Sequence, residues 1–358
     1  MKILKPKRAP FEIARLKIII GSFLFLVIND AHSSPESREA LIKTTLDQFH
    51  GGEYDSALAN CKTLKEADPN DLAGYVLEVG VYQGIMRYYR VRHFEPVFDS
   101  LLTETIKLGK KNVRRNSPAE QQFLYGSALG YQALHRFAQG EWSAALKDAL
   151  QAKSTVENAL RFDKKFADPW LMLGIYEHGK SKILSMGIGL FSGKKDAAIK
   201  MLERAQKDGL YTSTDAALAL LGVYRDTKNY RKGLAICEEL NQKYPGHASV
   251  LYNRAVFLQH LKRFNEAEEN WRMLIEKLES FQYVSNAFLA ECRLNIARIH
   301  AEMAKTNGVR NHGDQIRTEL TLALAASEKF DPERELAGTR EKADEVKTAT
   351  EKMLRKYQ

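Results

Sequence analysis

Cysteine is nearly absent from this chain: Cys61, Cys237 and Cys292 are the only three among 358 residues. Thiols so few and so scattered cannot build the paired framework that staples small secreted domains. Cys61 and Cys237 lie among apolar residues at helical spacing, as small core fillers do, and all three are expected to stay reduced. Proline is also sparse, with nine in the chain. Alternating β-branched runs bounded by turns are missing, which argues against a sheet. No apolar run approaches the roughly 20 residues that a membrane-spanning helix needs. Catalytic signatures are missing too. None of the nine histidines falls within a helical turn of another, and neither H-E-x-x-H nor G-x-S-x-G occurs. The sequence therefore predicts no enzyme, no metal site and no cofactor.

One stretch looks like an exception. SMGIGLFSGKKD, from Ser185 to Asp196, has three glycines before a lysine, as a phosphate-binding loop does. A P-loop requires G-x-x-x-x-G-K-[ST] directly after a strand. Here Gly189 and Gly193 enclose three residues, Lys194 is followed by Lys195 rather than a hydroxyl, and the preceding segment 169–181 has helical composition. The glycines read instead as a lengthened turn within a helical hairpin, an insert over 182–195. Its apolar residues, Ile183 to Phe191, are expected to fold back on the protein or to dock elsewhere.

The first 33 residues differ from the rest. Lys2, Lys5, Lys7, Arg8, Arg15 and Lys17 precede an apolar run from Ile18 to Ile28, and Ala31 and Ser33 supply small residues after it. That order of charge, apolar core and small pair is a secretory signal peptide at 1–33. Such a leader is expected to carry the protein out of the cytoplasm. The leader carries +4 of the chain's +9 charge, leaving about +5 on the remainder. Segment 87–115 holds Arg87, Arg90, Arg92, Lys107, Lys110, Lys111, Arg114 and Arg115 against three acidic residues, a net of +5. This segment alone equals the excess, so it is a candidate surface for an acidic protein, anionic lipid or cell-wall polymer. An exported protein seldom meets nucleic acid, and none is expected as a partner.

Internal repetition decides the fold class. RFNEAEENWRMLIEK (263–277) aligns with NYRKGLAICEELNQK (229–243): Phe264 with Tyr230, Ala267 with Gly233, Trp271 with Cys237, Leu274 with Leu240, each pair 34 residues apart. The same template fits Tyr54, Ala57, Cys61 and Leu64, and again Trp142, Ala145, Ala149 and Ala152. Trp170-x-x-Leu173-Gly174 opens a further unit. A 34-residue period with W-x-x-L-G, an alanine one turn before a bulky residue and a closing proline resembles the tetratricopeptide repeat (TPR) family over residues 36–332. The longer pattern DPWLMLGIYEHGKSK (168–182), followed by the glycine-rich insert and LERAQKDGLY (202–211), looks like uncharacterised exported bacterial TPR proteins, which implies a bacterial periplasm or envelope. The family resemblance implies an all-α, right-handed solenoid of about 6–7 helical hairpins over 34–332. It also implies a role in binding other proteins. Residues 333–358 alternate charges around Leu336, Ala343, Val346, Met353 and Tyr357, which suits a charged helix capping the open end.

Stacked first helices of such an array line a concave groove. Some TPR proteins grip a C-terminal carboxylate there with Lys, Asn and Arg; Glu291 at the matching position would repel one. The groove side offers Tyr252, Asn253, Gln259, Asn295 and Arg298, a set suited to an internal peptide segment or helix. The expected protein is thus a non-enzymatic scaffold of the cell envelope. The alternative is an envelope structural protein that contacts anionic surfaces through 87–115. Cleavage after Ser33 should leave Ser34 as the first residue of the exported chain, and intact-mass analysis of that chain checks this. A mass that still includes Ile18–Ile28 would refute the leader.

Overall fold

The computed structural model of the protein describes residues 35–187, 195–307, 312–336, 338 and 340–357, with backbone alone at 35, 181–187, 195, 306 and 307. The leader and the centre of the insert, 188–194, lie outside the described residues. Fourteen of the fifteen helices among them pair as seven hairpins. These are α1 (Pro35–Gly51) with α2 (Tyr54–Ala67), α3 (Leu72–Tyr89) with α4 (Glu95–Asn112), and α5 (Ala119–Ala138) with α6 (Trp142–Phe162). Next come α7 (Pro169–Gly187) with α8 (Lys195–Asp208), and α9 (Ser213–Asp226) with α10 (Tyr230–Lys243). The last two are α11 (Ala248–His260) with α12 (Phe264–Glu279) and α13 (Asn286–Asn307) with α14 (His312–Glu328). A final helix, α15 (Ala343–Tyr357), packs on α13 and α14.

The aligned positions explain the stacking. Ala57, Cys61 and Leu64 in α2, Gly233, Cys237 and Leu240 in α10, and Ala267, Trp271 and Leu274 in α12 are all buried. Small residues permit close crossings where they occur at helix contacts. A methyl group on Gly233 would overlap the Phe257 ring, and one on Gly126 would overlap Val156. Gly222 on α9, by contrast, has open space around it. All three cysteines are buried and free, and burial pushes the Cys61 thiol up to about 12.

Two boundaries differ from expectation. Helix α7 continues to Gly187, so the first part of the 182–195 insert is helical backbone rather than loop. The charged tail is not one helix from 333. The described residues between α14 and Ala343 lie outside any helix, Glu335 pairs with Val91 just beyond α3, and the cap begins only at Ala343. Leu336 accordingly packs with the first hairpins' core, while Val346, Met353 and Tyr357 pack on α13 and α14.

Four of the seven hairpin turns share one geometry. Two residues before the aromatics that start α2, α6, α10 and α12, the chain turns left-handed: Gly52 (φ 88°), Gly140 (φ 81°), Lys228 (φ 58°) and Lys262 (φ 60°). Glycine takes that conformation without penalty, whereas a side chain costs about 1–2 kcal/mol. Lys262→Gly should therefore raise stability by up to about 1 kcal/mol, and Gly140→Ala should lower it by a similar amount. Chemical denaturation of the two variants checks the opposite signs.

Candidate interaction surface

First helices of successive hairpins touch along the inner side, as in any array of this kind, but α3 also touches α11, four hairpins further on. The first two hairpins thus lie against the last three. Phe49, Ile85, Tyr89 and Val91 share one core with Leu251, Phe257, Trp271, Phe288 and Ile296. Along this seam Tyr89 stacks on Phe281 and His93 on Tyr283, each with ring centroids 3.8 Å apart. Tyr244 donates its hydroxyl to Asp47 Oδ1 at 2.6 Å, and Lys243 Nζ lies 2.9 Å from the same carboxylate.

This closure occupies the groove that the sequence assigns to a partner. Arg90, in the left-handed conformation (φ 54°) that ends α3, is buried with its guanidinium 3.6 Å from the Phe288 ring centroid. Its Nη1 lies 2.6 Å from Oε2 of the fully buried Glu291, and Tyr252 donates its hydroxyl to Oε1 at 2.7 Å. Burial alone would raise the Glu291 carboxyl; Arg90 and the Tyr252 hydroxyl outweigh it and hold the group below its ordinary value. Removing one partner of such a pair costs about 3–5 kcal/mol, because a buried charge is left alone.

The five groove residues therefore do converge, but around the chain's own side chains. Tyr252, Asn253 and Asn295 are buried. Asn253 accepts from Arg225 Nη1 (3.2 Å), and Asn295 donates to the Glu291 carbonyl (2.8 Å). Arg298 is half-buried and pairs with Glu341 at 2.8 Å. Gln259 is half-buried, with a buried Oε1 that no donor reaches. Tyr252 and Asn295 are not the open anchors that helical spacing suggests.

The basic segment also divides. Arg90 belongs to the buried pair, and Arg92 is tied to Glu95 (2.7 Å) and to the Glu335 carbonyl (3.2 Å). Arg87 is exposed near Asp215, whose carboxyl burial lifts to about 6 against the opposing effect of Arg87. Lys107, Lys110, Lys111, Arg114 and Arg115 alone remain together at the exposed end of α4 and its following turn. The Arg115 carbonyl accepts from Asn158 (2.8 Å), bringing exposed Arg161 and Phe162 alongside in one shallow depression.

A surface that spacing did not reveal lies on the third hairpin. Tyr54, Tyr230 and Phe264, the aromatics that start α2, α10 and α12, pack partly buried against the main core. Trp142 holds the same register at the start of α6 yet is 64% exposed. Leu146 (59%) and Leu150 (48%) follow it at four-residue spacing, so one apolar stripe runs along α6. Phe137, 52% exposed, sets its ring edge-on to Trp142 with centroids 4.5 Å apart, and exposed Leu134 extends the patch along α5. Helices α5 and α6 are 20 and 21 residues long, against 18 in α4 and 14 in α8, the second helices of the neighbouring hairpins.

The known proteins that this chain is similar to share its architecture. The profile of the coatomer epsilon subunit family matches residues 180–288, under a third of the chain. The anaphase-promoting-complex hetero-tetramer Cut9–Hcn1 is 14% identical, covering 84% of this chain and 48% of that one, at a TM-score of 0.54. The fold is TPR-like. The C-terminal part of a TPR repeat-containing protein from Cytophaga hutchinsonii is 16% identical, covering 82% of this chain and 97% of that one, with a TM-score of 0.41. A TPR protein of Thermus thermophilus is also 16% identical, over 62% and 99%, at 0.41. No curated protein matches the sequence. Such identities establish shared fold alone; TPR-like arrays in general hold other proteins.

The seam contains an acid-sensitive pair. His50 of α1 and His247, which precedes α11, are buried with ring centroids 6.1 Å apart, and His50 Nδ1 and both His247 nitrogens have no hydrogen-bond partner. Burial lowers His247 to about 4 and His50 well below its ordinary value. A depressed histidine favours the folded state above the unfolded value near 6.5 and loses that advantage as pH falls toward the folded value. Asp215, raised by burial, acts in the opposite sense below about 6 and offsets part of the effect. Asp168 is raised by burial as well, but burial also lowers His260, and three histidines against two carboxyls leave a net loss. Thermal melting between pH 7 and 4.5 should fall steeply in the wild type, with roughly 2–3 kcal/mol from His247 alone. In the His50→Leu, His247→Leu double variant it should fall much less.

Proposed function

We propose that the protein is a non-enzymatic interaction scaffold, exported by its leader to the periplasm or cell envelope, which holds a partner protein on the apolar stripe of its third hairpin. The observation that carries this reading is Trp142. In the register of the repeat it belongs under the next unit, yet it stands exposed beside Phe137, Leu146 and Leu150. An exposed apolar stripe of this kind, anchored by two aromatics, is characteristic of a binding surface. Its four-residue spacing suits an apolar helix of the partner laid alongside. The inner groove is a weaker candidate, because Glu291 already engages Arg90 and Tyr252 and Glu341 already pairs with Arg298, although Gln259 Oε1 has no donor there.

A second reading keeps the exposed cations Lys107, Lys110, Lys111, Arg114 and Arg115, continuous with Arg161 and exposed Phe162, as the contact to an anionic lipid or envelope polymer. No helix among the described residues is long and apolar enough to cross a membrane, so such a contact would lie at the surface. Attraction of that kind weakens as salt shortens the Debye length to about 8 Å at physiological ionic strength.

Photo-crosslinking residues placed singly at Leu146, Lys111 and Gln259, in cells that make the protein, separate the two surfaces and the groove. The stripe predicts a defined protein adduct from Leu146 that Trp142→Ser abolishes. The melting temperature of Trp142→Ser should stay within about 2 °C of wild type, because an exposed ring contributes little to folding. Adducts from Lys111 or Gln259 alone would move the site to the basic surface or the groove. A drop of many degrees in Trp142→Ser would mean that the stripe is covered by the chain itself.

A further inference from the structure

The last hairpin brings together two histidines that are twelve residues apart in the sequence. His300, buried on α13, and His312, the half-buried first residue of α14, face each other with their Nδ1 atoms 3.3 Å apart. One turn further along α14, Gln315 places Oε1 3.1 Å from His312 Nδ1 and is itself exposed. On the far side of the His300 ring, Nε2 lies 3.4 Å from Oε1 of Glu268 on α12, an ion-pair approach rather than a well-aligned hydrogen bond. Glu268 is in turn fixed by Arg272, whose Nε and Nη2 reach it at 2.9 and 2.7 Å.

The separation of the two Nδ1 atoms matches a common ligand geometry. Two imidazoles bound to one tetrahedral zinc at about 2.0–2.1 Å hold their nitrogens about 3.3–3.4 Å apart. The outer contact matches too. A metal-binding histidine usually directs its other nitrogen to a carboxylate, which fixes the ring and leaves the inner nitrogen unprotonated. Glu268 stands in that place for His300. No group of three His, Cys, Asp and Glu side chains among the described residues could hold a metal ion, so the third donor has to be of another type. The Gln315 amide oxygen is such a donor, and its exposure leaves room for water at the fourth position.

We propose that His300, His312 and Gln315 form a binding site for one divalent late first-row transition ion, with zinc as the redox-inert member of that class. Glu268 is the positioning residue for His300. Binding through both Nδ1 atoms requires each ring to carry its proton on Nε2, which for His300 is the side that faces Glu268. The ion ties α13 to the start of α14.

Zinc chloride titrated calorimetrically into the folded, tag-free chain tests this, with cobalt as a visible-absorbing substitute. The wild type should bind one equivalent, give the absorption bands of tetrahedral cobalt, and melt at a higher temperature as zinc is added. His312→Ala, at a half-exposed position, should keep the fold and lose at least tenfold in affinity together with the zinc-dependent rise in melting. Glu268→Gln should weaken binding about 10–100-fold with all three donors still present. No zinc uptake by the wild type, or equal uptake by the wild type and His312→Ala, would overturn the site and leave the 3.3 Å contact as a hydrogen bond between two imidazoles.

Discussion

The architecture depends on one buried ion pair. Arg90 at the end of the second hairpin and Glu291 in the seventh are 201 residues apart, and each is the other's main means of being charged inside the protein. A lone guanidinium or carboxylate at that depth would carry a desolvation cost of several kcal/mol. Together, with the Tyr252 hydroxyl and the faces of Tyr252 and Phe288, they form a satisfied polar island in an apolar seam. The surrounding contacts follow from it. Val91 pairs with Glu335, so that Leu336 donates its N–H to the Arg90 carbonyl and Arg92 to that of Arg334. The Glu335 carboxylate then accepts from Ser285 and from the Ala287 amide at the start of α13.

A repeat array ordinarily gains stability only from neighbour to neighbour, so it can fray from either end. Here hairpins one and two share a core with hairpins five to seven, and the chain after α14 is tied into both. Loss of the first hairpin would uncover Tyr244 and His247, which pack against His50, as well as its own seam face. The described part of the molecule consequently has the cooperativity of a globular domain, built from units that are locally one-dimensional.

Much of this was legible in the sequence. The 34-residue phase located the second helices to the residue, because Tyr54, Trp142, Tyr230 and Phe264 each stand first in their helix. Burial at Ala57, Cys61 and Leu64 and at their counterparts followed from the same phase. What periodicity could not show is contact between units far apart. Helical spacing puts the groove residues on one side of their helices but says nothing of what stands opposite. The side chains opposite, Arg90 and Glu341, come from segments with no fixed phase to α11 and α13. Trp142 is the reverse case, a residue in perfect register whose neighbour does not reach it. His300 and His312 escaped because twelve residues is no helical repeat; only the hairpin turn brings them side by side.

The seam also sets an order in time. Roughly 200 residues of synthesis separate Arg90 from Glu291, and at about 5–20 residues per second the first two hairpins are complete some 10–40 s before their counterpart exists. Through that interval Phe49, Ile85, Tyr89 and Val91 lack their partners from the last hairpins, and Arg90 has no carboxylate. The seam side of the early hairpins stays open to other chains until then, so closure must come late.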